Sequence, residues 1–228
     1  MKKKPFKRIL CVLIAAVMLG SVFASTAAAA TKCACGHSPV VMISGFGATV
    51  LAEKQEDGSL KRVFPPDTKE ILKLLGVNAP DLITGIIKLI AQKGTDGIEK
   101  PMREIITSIV EPLRMNDDGT SFYDIVPILS SAKDTSLEAF TKNGQLDLVP
   151  YTGSEFLDME VIGDEIGDDH VFNFLYDWRL SHADVAAQLH DYLAEVCALT
   201  GHDKVSVYSI SQGCLLLGVY MYEYPNDN

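Results

Sequence analysis

The pentapeptide Ser209-Ile210-Ser211-Gln212-Gly213 has the spacing of a nucleophile elbow, G-x-S-x-G, with Ser209 in place of the first glycine. A serine nucleophile of this kind sits on a sharp strand-to-helix turn, in a strained backbone conformation. The residues two before and two after it must therefore be small. Gly213 meets that requirement and Ser209 comes close to it. Such a turn lifts the Ser211 hydroxyl to the C-terminal edge of a sheet. It also aims the Gln212 backbone N–H and the N-terminus of the following helix at an oxyanion forming on an attacked carbonyl. The chemistry implied is acyl transfer through an ester on Ser211. An oxyanion hole needs a second backbone N–H, and Phe46 in Ser44-Gly45-Phe46-Gly47 is the candidate donor. A third segment, Tyr176-Asp177-Trp178-Arg179-Leu180, carries the only tryptophan. Taken by itself, its aspartate beside an arginine reads as a structural ion pair in a loop.

Two other clusters carry chemically able side chains. Cys33-Ala34-Cys35-Gly36-His37 suggests a metal knuckle, but no second pair of ligands follows at zinc spacing. Two cysteines one residue apart are also poorly placed to bridge each other. We read this stretch as an N-terminal segment with free or elsewhere-paired thiols, and we expect no metal and no cofactor. The acidic group Asp164, Glu165, Asp168 and Asp169 matches no EF-hand spacing and reads as a solvated loop.

The elements that must position Ser211 follow from patterning. Val205–Ser209 alternates as a strand, and Gln212–Tyr224 is apolar almost all round, as a helix buried against a sheet would be. Pro225 stops it. Val171–Leu175 reads as an earlier strand. Ser181 starts a helix, with Asp184 as a weak capping-box partner. Val185, Leu189, Leu193 and Val196 give that helix one apolar face, and Gly201 ends it. Pro39–Ser44 is a short β-branched run ended by glycine, the mark of a buried strand. Strands alternating with helices predict an α/β fold with a parallel sheet. Residues 67–115 differ. Their apolar residues have helical spacing interrupted by Gly76, Pro80, Gly94, Gly97 and Pro101, which predicts several short broken helices.

The chain has 228 residues, 47% apolar and 22% charged, with a net charge of −10. These are the proportions of an ordinary globular protein. Residues 1–30 read as a secretory signal peptide: a basic start, an apolar run from Ile9 to Phe23 and an Ala28-Ala29-Ala30 cleavage pattern. We expect cleavage after Ala30 and a secreted or cell-envelope location. The body left behind carries 15 basic against 30 acidic residues. A surface that acidic repels phosphates, which excludes nucleic acid as a partner.

Three segments together resemble the lecithin:cholesterol acyltransferase family of lipid acyltransferases and lysosomal-type phospholipases. They are P-V-V-M-I-S-G-F-G-A-T-V-L over 39–51, Y-D-W-R-L over 176–180 and K-V-S-V-Y-S-I-S-Q-G-C over 204–214. Y-D-W-R one helix before the elbow is the most specific of them. Ser44, where the family usually has proline, and Ser209, where it has glycine or alanine, depart from its pattern. The resemblance implies an α/β-hydrolase fold with a helical cap at 67–115. It implies Ser211 as nucleophile and the Phe46 and Gln212 N–H groups as the oxyanion hole. Asp177, Trp178 and Arg179 become a structural frame below the site. A lipid ester would be the substrate, with peripheral contact to a lipid surface through residues such as Leu82–Ala91. In that fold the acid and the histidine follow the nucleophile. After Ser211 the sequence holds Glu223 and Asp227 but no histidine; His37, His170, His182, His190 and His202 all precede it. The expectation is a hydrolase domain over 31–228 cut before its acid and base. The competing expectation is an exported, non-catalytic binding protein on a degenerate hydrolase fold.

Overall fold

The computed structural model describes residue 33 and residues 35–90, 96–149 and 155–227. The leader read over 1–30 lies outside the described residues. In chain order the strands are Val40–Ile43 (β1), Leu51–Lys54 (β2), Leu60–Phe64 (β3), Ile125–Pro127 (β4), Val171–Phe174 (β5) and Ser206–Ser209 (β6). The helices are Thr68–Ile90 (α1), Asp96–Val110 (α2), Leu137–Asn143 (α3), Glu155–Ile166 (α4), His182–Thr200 (α5) and Gln212–Glu223 (α6).

The chain is a mixed α/β structure. β1 lies between β5 and β6 and runs parallel to both, with Val40 beside Val171 on one side and Ser206 on the other. A small antiparallel sheet, β3-β2-β4, stands apart from it. The two-residue period of the parallel sheet sorts its side chains between two cores. Val41 and Ile43 of β1 and Phe172 and Phe174 of β5 face Val185, Leu189 and Val196 of α5 and Leu216 of α6. Met42 and Val171 face the other way, onto Leu137 and Phe140 of α3 and Met159 of α4. All of these side chains are buried. The outer edge of β5 is covered by Thr135 and Ser136, since Asn173 donates its N–H to the Thr135 carbonyl and Phe172 bridges to Ser136.

The helix ends follow local chemistry. The Ser181 hydroxyl accepts from the Ala183 N–H, and Gly201 closes α5 in the left-handed conformation at φ 69°. The expected pairing of Ser181 with Asp184 is replaced by this simpler cap.

Two expectations from patterning fail. The stretch beginning at residue 67 is not a set of short broken helices: α1 runs unbroken through Gly76 and Pro80 for 23 residues. A proline in a helix clashes with the carbonyl four residues back and removes one hydrogen bond. Here that residue is Gly76, around whose Cβ position the space is open. Asn78 Nδ2 donates to the Leu74 carbonyl and Thr84 Oγ1 to the Pro80 carbonyl, keeping nearby acceptors satisfied. Leu74, Asn78, Leu82 and Gly85 form the covered stripe of α1, which packs on α2. Nor is α6 buried all round, because Leu215, Met221 and Tyr222 are exposed on its outer face. Among the described residues, no helix is long and apolar enough to cross a membrane.

Candidate functional site

Three loops leave the C-terminal ends of β1, β5 and β6 and meet at one edge of the parallel sheet. The loop after β6 carries Ser211. Its backbone stands at φ 53°, ψ −121°, and among the described residues it is the one non-glycine with a positive φ. Such a conformation costs about 1–3 kcal/mol in a residue with a Cβ. The Ser211 side chain makes no capping hydrogen bond to α6 and points to solvent. The surrounding packing fixes the turn. A Cβ on Gly213 would strike the Ile43 carbonyl oxygen and come within 2.9 Å of that of Ser44. A side chain at 213 would therefore push α6 away from β1. The Ser209 hydroxyl faces Cys214, whose thiol donates to the Ser209 carbonyl.

The loop after β1 lies directly over the serine. A Cβ on Gly45 would sit 3.0 Å from Ser211 Cβ and 3.4 Å from Ser211 Oγ. Gly45 thus lets the Ser44–Gly47 backbone close on the hydroxyl, and Gly47 turns the chain away at φ 72°. Among the described residues, the backbone N–H groups of Phe46 and Gln212 have no hydrogen-bond partner.

The loop after β5 ties the other two together. Tyr176 donates its hydroxyl to the Ser44 carbonyl at 2.8 Å, and Gln212 Nε2 donates to the Trp178 carbonyl at 2.9 Å. Trp178 packs its ring against Phe46, centroids 4.4 Å apart, and against Phe64. Beneath them Asp177 and Arg179 form a buried bidentate pair, with Nε to Oδ1 at 2.9 Å and Nη2 to Oδ2 at 2.6 Å. Arg179 Nη2 also donates to Ser121 Oγ, and the Arg179 N–H to Asp177 Oδ1. With both charges matched and several donors satisfied, the pair braces the loop rather than presenting charge to the site. The sequence-predicted residues Phe46, Asp177, Trp178, Arg179, Ser209, Ser211, Gln212 and Gly213 are thus brought to one edge.

Among the described residues no histidine is hydrogen-bonded to Ser211, and His182, which opens α5 just past the Tyr176–Leu180 loop, keeps a buried, unbonded Nε2. His190 Nδ1 is 2.7 Å from Asp227 Oδ2 and stacks on Tyr224. The Asp227 carboxyl is held below the usual carboxylate range by the Tyr220 hydroxyl and then by His190. Burial pushes the Tyr220 phenol well above its ordinary value. A cleft of about 310 Å³ between β3 and the α1–α2 pair, lined by Val63, Leu74, Val77 and Ile109, does not reach Ser211.

At the opposite edge of the sheet, sequence reasoning missed a second cluster. Cys35 Sγ lies 3.4 Å from His202 Nε2 and 3.6 Å from His170 Nε2, and Cys33 Sγ lies 3.8 Å from the same His170 atom. Cys35 donates its N–H to Cys33 Sγ. The Cys35 thiol is drawn down to about 6 by the hydrogen bond with Cys33, then by His37, His202 and His170, while Cys33 is raised. The two histidines stand 137 and 167 residues beyond their cysteine partners, so no local spacing could have announced them.

Comparison with protein-family models, with curated proteins and with solved structures finds no match for this chain.

Proposed function

We propose that this chain carries the nucleophile and oxyanion hole of an exported serine acyl-hydrolase or O-acyltransferase acting on a lipid ester, on an α/β-hydrolase fold. The observation that supports this reading best is the backbone of Ser211. A serine held at φ 53° between a parallel strand and a helix bears a strain with no structural use of its own, since its side chain caps nothing. Strain of that kind is retained where it aims a hydroxyl.

In this reading Ser211 Oγ attacks the ester carbonyl carbon. The carbonyl oxygen becomes an oxyanion held by the Phe46 and Gln212 N–H groups and by the positive end of α6. Collapse expels the alcohol and leaves an acyl ester on Ser211, which water or a second alcohol then takes up. Exposed Phe46 and exposed Ile83, Ile86 and Ile87 on α1 give the molecule apolar surface for a lipid aggregate. The Asp177–Arg179 pair and Trp178 hold the loops in register and do not touch the reacting atoms.

A base must take the Ser211 proton, and among the described residues no histidine is hydrogen-bonded to Ser211. That observation supports a second reading, an exported binding protein that keeps the elbow without turnover. Ester hydrolysis on mixed phospholipid–detergent micelles separates the two. The chain, and any longer product of the same gene, are compared with their Ser211→Ala forms. Activity in the longer product that vanishes with Ser211 supports a hydrolase whose base lies past Asn228. Lipid binding with no Ser211-dependent turnover in either product refutes the enzyme.

A further inference from the structure

The second cluster lies where the three parallel strands begin. His170 immediately precedes β5, His202 sits in the turn between α5 and β6, and Cys33 and Cys35 lie just ahead of β1. The four ligand atoms all fall within 4.8 Å of one another. We propose that Cys33, Cys35, His170 and His202 form a tetrahedral Cys2His2 zinc site that fastens the starting ends of the three parallel strands together.

The spacing carries the argument. Zinc binds thiolate sulfur at about 2.3 Å and imidazole nitrogen at about 2.0–2.1 Å, so a tetrahedral ion sets its sulfur and nitrogen ligands roughly 3.5–3.6 Å apart. Three of the four sulfur–nitrogen distances here are 3.4, 3.6 and 3.8 Å, and the fourth, Cys33 to His202, is within 4.8 Å. Both histidines offer Nε2, and their rings stand nearly perpendicular, at 85°, as two imidazoles approaching one ion from different directions can. His170 also has the outer partner typical of a metal-bound imidazole: its Nδ1 is 2.8 Å from Asp169 Oδ1. His202 has no such acceptor among the described residues, its Nδ1 being buried and unbonded. Asp169, read from sequence as part of a solvated acidic loop, thus orients a ligand.

The ligand set selects the metal class. Two thiolates and two imidazoles suit zinc and exclude calcium and magnesium, which require oxygen ligands. Four protein ligands leave no open coordination position, so the site is structural and separate from the chemistry at Ser211. A Cys–His hydrolytic dyad would need only one thiol and one imidazole. Convergence of all four from three distant parts of the chain favours an ion. The Cys33 N–H also donates to the Gly201 carbonyl at 3.2 Å, which places the thiol segment against the α5–β6 turn without any metal.

The test is metal analysis of the purified chain under thiol-protecting conditions, with Cys35→Ser, His202→Ala and Asp169→Asn beside the controls Cys214→Ser and His190→Ala. Stoichiometric zinc is expected in the wild type and both controls. It should be absent from the two ligand variants. In Asp169→Asn it should bind about 10–100-fold more weakly. Cobalt(II) in place of zinc should give the intense visible bands of a tetrahedral ion and a near-ultraviolet thiolate charge-transfer band. If the ligand variants fail to fold, the wild type still decides: a chelator should release zinc and unmask Cys33 and Cys35 to alkylation, with Cys214 reactive throughout. A weak octahedral cobalt spectrum, zinc retained in either ligand variant, or a metal-free wild type with Cys33 and Cys35 in disulfides would each overturn the site.

Discussion

Replacing Ser211 by glycine isolates the strain at the elbow from its chemistry. Serine to alanine at an ordinary helix N-cap costs about 0.5–2 kcal/mol because a capping hydrogen bond is lost. Ser211 makes no such bond and its side chain is exposed, so Ser211→Ala should leave stability within about 0.5 kcal/mol of the parent. Glycine behaves differently. It relieves about 1–3 kcal/mol of strain at φ 53° and gives back roughly 0.5–1 kcal/mol through the greater freedom of the unfolded chain. The net expectation is a gain of about 1 kcal/mol, or roughly 2–4 °C in melting temperature for a domain of this size. Chemical denaturation of the parent, Ala and Gly forms, in buffer of fixed zinc content, reads the difference directly. A glycine form no more stable than the alanine form would mean that Ser211 is unstrained, and the case for an elbow would fall with it.

Gly213→Ala should destabilise by about 1–3 kcal/mol or more, because its neighbours are the backbone carbonyls of Ile43 and Ser44 rather than a flexible side chain, whereas Gly218→Ala, with open space around it, should stabilise α6 by about 0.8–1 kcal/mol; thermal melts of both check this. Arg179→Met should cost about 3–5 kcal/mol, as it leaves the Asp177 carboxylate buried and unpaired, and denaturant midpoints measure it. The Asp227 carboxyl is depressed by Tyr220 and His190, so its contribution is present above the usual carboxylate range and lost as pH falls through its lowered folded value. Asp227→Asn should accordingly lower stability at neutral pH and flatten the acid side of a stability–pH profile, with little difference from the parent at strongly acid pH.

What could be read in the sequence depended on how local its cause was. β1, β5, α5 and the turn at Ser211 were legible because each is written in contiguous patterning: a β-branched run, an apolar face, a capping serine, a closing glycine. The unbroken course of α1 was not legible, since Gly76 and Pro80 are breakers one at a time and compatible when four residues apart. The exposed side of α6 was not legible either, because uniform apolarity tells nothing about which face finds a cover. The small residue demanded at 213 was visible, but the reason is a carbonyl of β1, which no spacing around the elbow reveals. The Cys–His cluster was hidden most completely. Its four members meet only because three strands lie side by side in the order β5-β1-β6.

That strand order also governs how the chain must assemble. β1 is made early, yet both of its neighbours come from the last third of the sequence, with Val40 pairing to Val171 and to Ser206. Each pairing closes a loop of well over a hundred residues before any ladder bond rewards it, a pattern associated with slow folding. During synthesis β1 has no neighbour to pair with until β5 has emerged, and its second side stays open until Ser209 is free. The central strand of the parallel sheet thus has no partner in that sheet until residues 171–174 are made, while the β2–β3 ladder and the α1–α2 pair, whose contacts are close in sequence, can form before it.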